Sequence, residues 1–216
     1  MRIQTTWAVA ALILLCVAGV AWLLVGRHSE TAHTIPVTSL SNWTLVTSDG
    51  TDPWVVAMKP PEPLLQPLLA ELRTRKDNQV APVPHPALPL VLRAEFDEGL
   101  QGVYGTDSVL RIAREAGIET STFEPVCIAH QVRTGPAGRA EVYFVPFASE
   151  AFNQIRVDLV PAEPEHAGIG VYEPAMLTPL LIIATTSGTL EQWLPLAFDR
   201  TTDCEADLTV TATGKR

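Results

Sequence analysis

Apolar positions fall along this chain in three rhythms. The first is unbroken: residues 7–26, WAVAALILLCVAGVAWLLVG, carry no charged or strongly polar side chain. At about 1.5 Å of helical rise per residue such a run covers roughly 30 Å, the thickness of a bilayer's hydrocarbon core, and predicts an N-terminal transmembrane helix. Trp7 and Trp22 stand near its two ends, where amphipathic rings favour the headgroup level. The leader MRIQTT fits a cleaved signal peptide or an uncleaved signal anchor. Length favours the anchor, because a signal peptide's apolar core is about 7 to 15 residues. The stretch after Trp22, LLVGRHSETAH, also lacks a clean small-x-small cleavage pair. Cys16 follows Leu15 rather than a small residue, so it reads as one more hydrophobe of the helix and not as a lipid attachment point.

The second rhythm is helical. Leu64, Leu65, Leu68, Leu69 and Leu72 recur at spacings of three and four, predicting a helix that starts within the prolines at 63 and 67 and ends near Lys76. Val109, Leu110, Ile112, Ala113 and Ala116 predict a second, with Thr106 or Asp107 as cap and Gly117 as stop. Phe152, Ile155 and Leu159 share a face in a third that Ser149 can cap and Pro161 ends; a strand through Ile155, Val157 and Leu159 is the competing reading.

The third rhythm is that of strands. In 88–96 the residues Leu88, Leu90, Leu92, Ala94 and Phe96 alternate with Arg93 and Glu95, which predicts a strand with one buried side. Residues 123–132 and 139–147 form a hairpin about the turn at 134–138, 180–185 is a fully buried strand, 54–58 is a shorter one, and 205–213 adds a last strand at an edge. From Leu88 the order is strand, helix, strand, strand, helix, strand. The expected fold class is therefore α+β: a transmembrane helix, then a ferredoxin-like (split βαβ) antiparallel sheet with an extra C-terminal strand. The divisions are an anchor at 1–26, a tether at 27–40, a proline-rich subregion at 41–89 and the α+β domain at 90–216.

Charge narrows the partners. The chain has a net charge of −9 and no basic cluster larger than RTRK at 73–76, which reads as the solvated end of a helix, so nucleic acid is not an expected partner. The expected partners are the bilayer, through residues 7–26, and an unidentified protein of the envelope. With a short leader and a large domain after the span, the domain is expected on the extracytoplasmic side. Asn42, Trp43 and Thr44 form a glycosylation sequon, which matters only in a cell that glycosylates.

Beyond Cys16 the chain has two cysteines, Cys127 and Cys204, and an exported pair is expected to form a disulfide. The rival use is a metal site, since Cys127 and His130 form a CxxH pair with His85 upstream. That spacing resembles the cysteine and histidine of the cupredoxins, which implies copper; the axial methionine of that pattern has no counterpart in 133–139, and on a strand Cys127 and His130 point to opposite faces. No GxSxG, SxxK, HExxH, CxxCH or phosphate-binding glycine loop occurs, so no catalytic, cofactor or metal residue is assigned. Glu163, Glu165 and His166, and Asp97 with Glu98, read as solvated loop groups, Gly168 and Gly170 as a flexible turn, and Trp193 as a core or edge aromatic. The function expected is a membrane-anchored extracytoplasmic accessory or interaction module without identifiable catalysis. A ligand- or metal-binding sensor domain is the alternative, and an enzyme of unrecognised type a third.

Overall fold

The most apolar strand of the chain, Leu180–Thr185, is buried at all six positions and lies within the larger of two sheets. A computed structural model describes residues 33–76, 79–135, 138–161, 172–187 and 189–211. The strands in chain order are β1 (His33–Pro36), β2 (Thr44–Thr47), β3 (Trp54–Lys59), β4 (Ala81–Pro82), β5 (Leu88–Leu92), β6 (Glu124–Pro125), β7 (Cys127–Gly135), β8 (Gly138–Ala148), β9 (Leu180–Thr185) and β10 (Cys204–Thr211). The larger sheet runs β1-β10-β7-β8-β9-β4, with β6 also on β8; the smaller runs β2-β3-β5. Three longer helices, α1 (Glu62–Arg75), α2 (Thr106–Glu115) and α3 (Glu150–Asp158), complete a mixed α+β unit that gathers Ala32–Arg216. Residues 7–26, with Trp7, Cys16 and Trp22, lie outside the described residues, as do Glu163, Glu165, His166, Gly168 and Gly170. Among the described residues no helix is long and apolar enough to cross a membrane.

Local chemistry sets the helix ends. The Ser149 hydroxyl accepts from the Phe152 N–H at the start of α3, and Phe152, Ile155 and Leu159 are all buried, so the helical reading of that segment holds. Gly117 stops α2 with φ at +70°, a conformation that glycine adopts without the steric cost of a side chain. The N-cap of α2 is Gly105 rather than Thr106 or Asp107. Pro63 sits in the first turn of α1, but Pro67 is inside the helix. With no N–H, Pro67 makes no bond to the carbonyl one turn back.

The split βαβ order is not the one formed. In the larger sheet β8 pairs directly with β9 (Phe144↔Ile182, Val145↔Leu181), leaving no slot between them for the strand at 88–92. That strand, β5, pairs instead with β3 in the smaller sheet. The physical reason lies in its side chains: Pro89 and Val91 are buried as fully as Leu88, Leu90 and Leu92, so β5 is covered on both faces. It also ends at Leu92. The Arg93 N–H donates to the Pro53 carbonyl at 2.9 Å, and 93–95 then turns helical, so Arg93 and Glu95 do not form the polar face of a strand. The last strand, expected at an edge, lies between β1 and β7. Residues 33–36, read as tether, form β1 parallel to β10, and β5 spans positions 89 and 90 where a subregion boundary was drawn.

Period-two alternation along β8 divides the core. Tyr143, Val145 and Phe147 face a large cluster shared with the helices and the smaller sheet, while Val142 and Phe144 face a second cluster with Cys127, Ala129, Leu180, Ile182 and Trp193. In the large cluster Trp43 stacks on Phe123 at 4.6 Å and meets the edge of Phe147 at 5.3 Å. Leu92 is in the large cluster and Ile182 in the small one, so these two residues do not share one core. Truncating either to alanine should still cost about 2 to 5 kcal/mol. Because their neighbours differ, the double variant should lose the sum of the two within about 0.5 kcal/mol, as read from urea unfolding. A larger departure would mean that the clusters are coupled.

Candidate functional site

Alternation along β7 sends Cys127 and Ala129 toward the small cluster and Ile128 toward the large one, so Cys127 and His130 lie on opposite faces of the strand. The Cys127 sulfur instead meets Cys204 on the neighbouring strand. The two form a disulfide, with S–S 2.02 Å and Cα–Cα 5.7 Å, inside the span such a bond requires. The bond takes Cys127 out of any metal set with His130. His85 is further removed: it follows β4, which is three strand spacings, about 14 Å, from β7 across the sheet.

His130 has a different setting. It stacks on Tyr143, its register partner on β8, with ring centroids 4.6 Å apart and 14° between the planes. Its Nε2 lies 3.0 Å from a Glu141 carboxylate oxygen and its Nδ1 lies 3.1 Å from one of Glu205. Both contacts are hydrogen bonds only when the ring carries both protons, because a neutral imidazole has one N–H to give. Tyr143 donates its hydroxyl to Glu141 at 2.5 Å, Arg139 Nε lies 2.8 Å from the other Glu141 oxygen, and Lys76 Nζ donates to Glu205 at 2.9 Å. Lys76, at the end of α1, therefore belongs to a half-buried polar network and not to a solvated helix end; Arg75 beside it pairs with Glu71 at 2.8 Å.

These partners shape the acidities. Burial pushes the Glu205 carboxyl up, yet the hydrogen bonds and charges of His130 and Lys76 outweigh it and hold the group at about 2. The Tyr143 hydroxyl lowers Glu141 against the opposing effect of burial, with His130 and Arg139 adding to it. Burial and the Glu141 hydrogen bond push Tyr143 up in turn. Since Glu205 is depressed from an ordinary 4.5, its contribution to stability is fully present above that pH and is lost as pH falls through about 2. Glu205→Gln should thus be less stable than the natural protein at pH 7 by an amount of the order of 3 kcal/mol. Urea titrations at stepped pH should show that gap closing between pH 4.5 and 2; a gap that stays constant to pH 2 would remove the network from the account.

Chemically, the network is closed on itself. Each carboxylate already accepts from two or more donors, and both His130 nitrogens are engaged. Among the described residues no three His, Cys, Asp or Glu side chains converge as metal ligands. The arrangement joins β7, β8, β10 and the end of α1, beside the disulfide that already links β7 to β10. Of the other residues singled out in the sequence, Asp97 and Glu98 are exposed. Trp193 is buried with the Arg133 guanidinium 4.8 Å from its ring centre, and Arg133 also donates to the Gln192 carbonyl.

Sequence reasoning missed the most deeply buried ion pair among the described residues. Arg156 on α3 is 1% exposed and binds Glu95 through two hydrogen bonds, of 2.7 and 2.9 Å. Their partners lie 61 residues apart, and no local spacing signals that they meet.

No protein-family model matches the chain, and neither a curated protein nor a solved structure matches it.

Proposed function

We propose that this chain is a membrane-anchored accessory or interaction module of the cell envelope, held to the bilayer by residues 7–26 with Trp7 and Trp22 at the interfaces, and that its domain faces the extracytoplasmic side. The observation that carries the reading is the Cys127–Cys204 pair at bonding distance in a chain that opens with an apolar run of membrane-spanning length. Such a bond persists in oxidising compartments and is rare in reducing ones. The polar chemistry supports an interaction role over catalysis, because the His130 network satisfies its own charges. A metal-sensing role loses its Cys127 and His130 pair to the disulfide.

The test is photo-crosslinking in intact cells from the full-length protein, with the reactive side chain placed in turn at exposed positions such as Arg111, Val132, Met176 and Thr189. A discrete adduct with one envelope protein, confined to one face of the domain, is expected. Absence of any adduct from every position would overturn the interaction role.

A further inference from the structure

The free edge of the larger sheet borders a groove of about 560 Å³. Residues 51–53, 81–85 and 189–191, with Thr185 of β9, line it. Along β4 the chain is extended at Ala81 and Pro82 and stays paired through Val83, then bends at Pro84 and His85, where φ is +49° at His85, so the straight edge is about 7 Å, room for two or three residues of an extended ligand.

Hydrogen-bond polarity singles out this edge. In the antiparallel pairing with β9, Ala81 faces Thr185, Pro82 faces Ala184, and the Val83 N–H donates to the Ile183 carbonyl at 3.2 Å. Hydrogen-bonded and non-bonded positions alternate in such a ladder, so the Pro82 carbonyl points away from β9 and into the open edge. Pro82 has no N–H, and neither has Pro84 two residues on. The edge therefore offers the Pro82 carbonyl as acceptor and no N–H from either proline, and an ordinary strand adding to it would leave a carbonyl of its own unpaired.

Charge points the same way. The titratable groups lining the groove are Asp52, Glu191 and His85, and Asp49 lies close enough to interact with His85. Among the described residues no side chain donates to the carboxylate of Asp52 or of Glu191; the contacts of Asp52 are through its backbone, whose N–H donates to the Ser48 hydroxyl and whose carbonyl accepts from Arg93. An acceptor-only edge between two unshared carboxylates, on a chain of net charge −9, complements a ligand rich in positively charged donors.

We infer that the groove is the docking site for an extended, lysine- or arginine-bearing peptide segment of a partner protein, an inference that rests on the interaction role proposed above. The lysine or arginine heads meet Asp52 and Glu191, and a backbone donor of the peptide meets the Pro82 carbonyl.

The test uses full-length protein in phosphatidylcholine nanodiscs and a fluorescein-labelled hexapeptide of alternating lysine and valine. Saturable binding is expected, absent for the glutamate and valine counterpart, and weakened by about tenfold in the Asp52→Asn/Glu191→Gln variant, the sum expected of two exposed ion pairs. That variant should melt with the natural protein, because Glu191 is exposed and the half-buried Asp52 keeps its backbone hydrogen bonds while its carboxylate has no side-chain donor to lose. Unchanged affinity in the variant, equal binding of the glutamate peptide, or displacement by spermidine at equal charge would each overturn the proposal, the last by showing a site for free polyamines. Crosslinking in cells separates the two levels. Adducts from Arg111, Val132 or Met176 but none from Thr189 would refute the groove and leave the interaction role standing, whereas adducts from no position would refute both.

Discussion

Replacing Arg156 with methionine should lower the unfolding free energy by about 3 to 5 kcal/mol, the loss expected when one partner of a buried pair is removed and the other charge is left alone. Every polar atom of this pair has a partner. The guanidinium also donates to the backbone carbonyls of Leu90, Glu173 and Pro174, the Glu95 carboxylate accepts from the Leu92 N–H at 2.9 Å, and the Tyr172 ring covers the guanidinium at 4.6 Å. The pair therefore ties the end of β5 to α3 and to the segment at 173–174. Glu95→Leu should cost a similar amount. The double variant Arg156→Met/Glu95→Leu should cost much less than the two together, because it leaves no buried charge uncompensated. Urea unfolding of the four full-length proteins reads the cycle; a loss under about 1 kcal/mol for either single variant would show that water reaches the pair.

Breaking the disulfide should be the other large loss. The bond closes a separation of 77 residues, for which the chain-entropy model gives about 4.5 kcal/mol, and removal of a native disulfide from a small domain costs about 2 to 5 kcal/mol. Cys127→Ser/Cys204→Ser should fall in that range. The damage should also be local. Since the bond fastens β10 to β7, and β10 is the sheet partner of β1, hydrogen-exchange protection should drop first in β1 and β10 and last in β3 and β5. Equal midpoints with and without reductant would contradict the bond.

Elements with a strong period were legible in the sequence, and their assembly was not. The leucines of α1, the strand at 139–147 after the turn residues 134–138 and the run at 180–185 each declared its element, because burial of one face or of both and the chemistry of a turn leave a local signature. The strand at 88–92 misled because Leu88, Leu90 and Leu92 alternate with Arg93 and Glu95 only if the strand is carried past Leu92. The Arg93 N–H bond to Pro53 and the Glu95 cap, contacts that ended it, come from the preceding hairpin and from the turn itself. Sheet order was beyond reach for a related reason. The choice between β8 and β3 as partner for β5 depends on the smaller sheet, whose strand β2 carries only Leu45 and Val46 as apolar residues. The disulfide was legible because two cysteines allow one pairing. The His130 network was half legible: Cys127 and His130 were seen to face apart, but Glu141, Glu205 and Lys76 come from three elements whose order the sequence does not state.

The proposed function puts the domain in an oxidising compartment, outside a membrane that residues 7–26 are proposed to cross. Thiol labelling of unfolded, unreduced protein taken from intact cells tests it most directly, because the chain has three cysteines, of which one is expected to be free and two bonded to each other. Modification of Cys16 alone, with Cys127 and Cys204 protected until reductant is added, is the predicted result. Modification of all three would contradict both the disulfide and the export on which the proposed function rests.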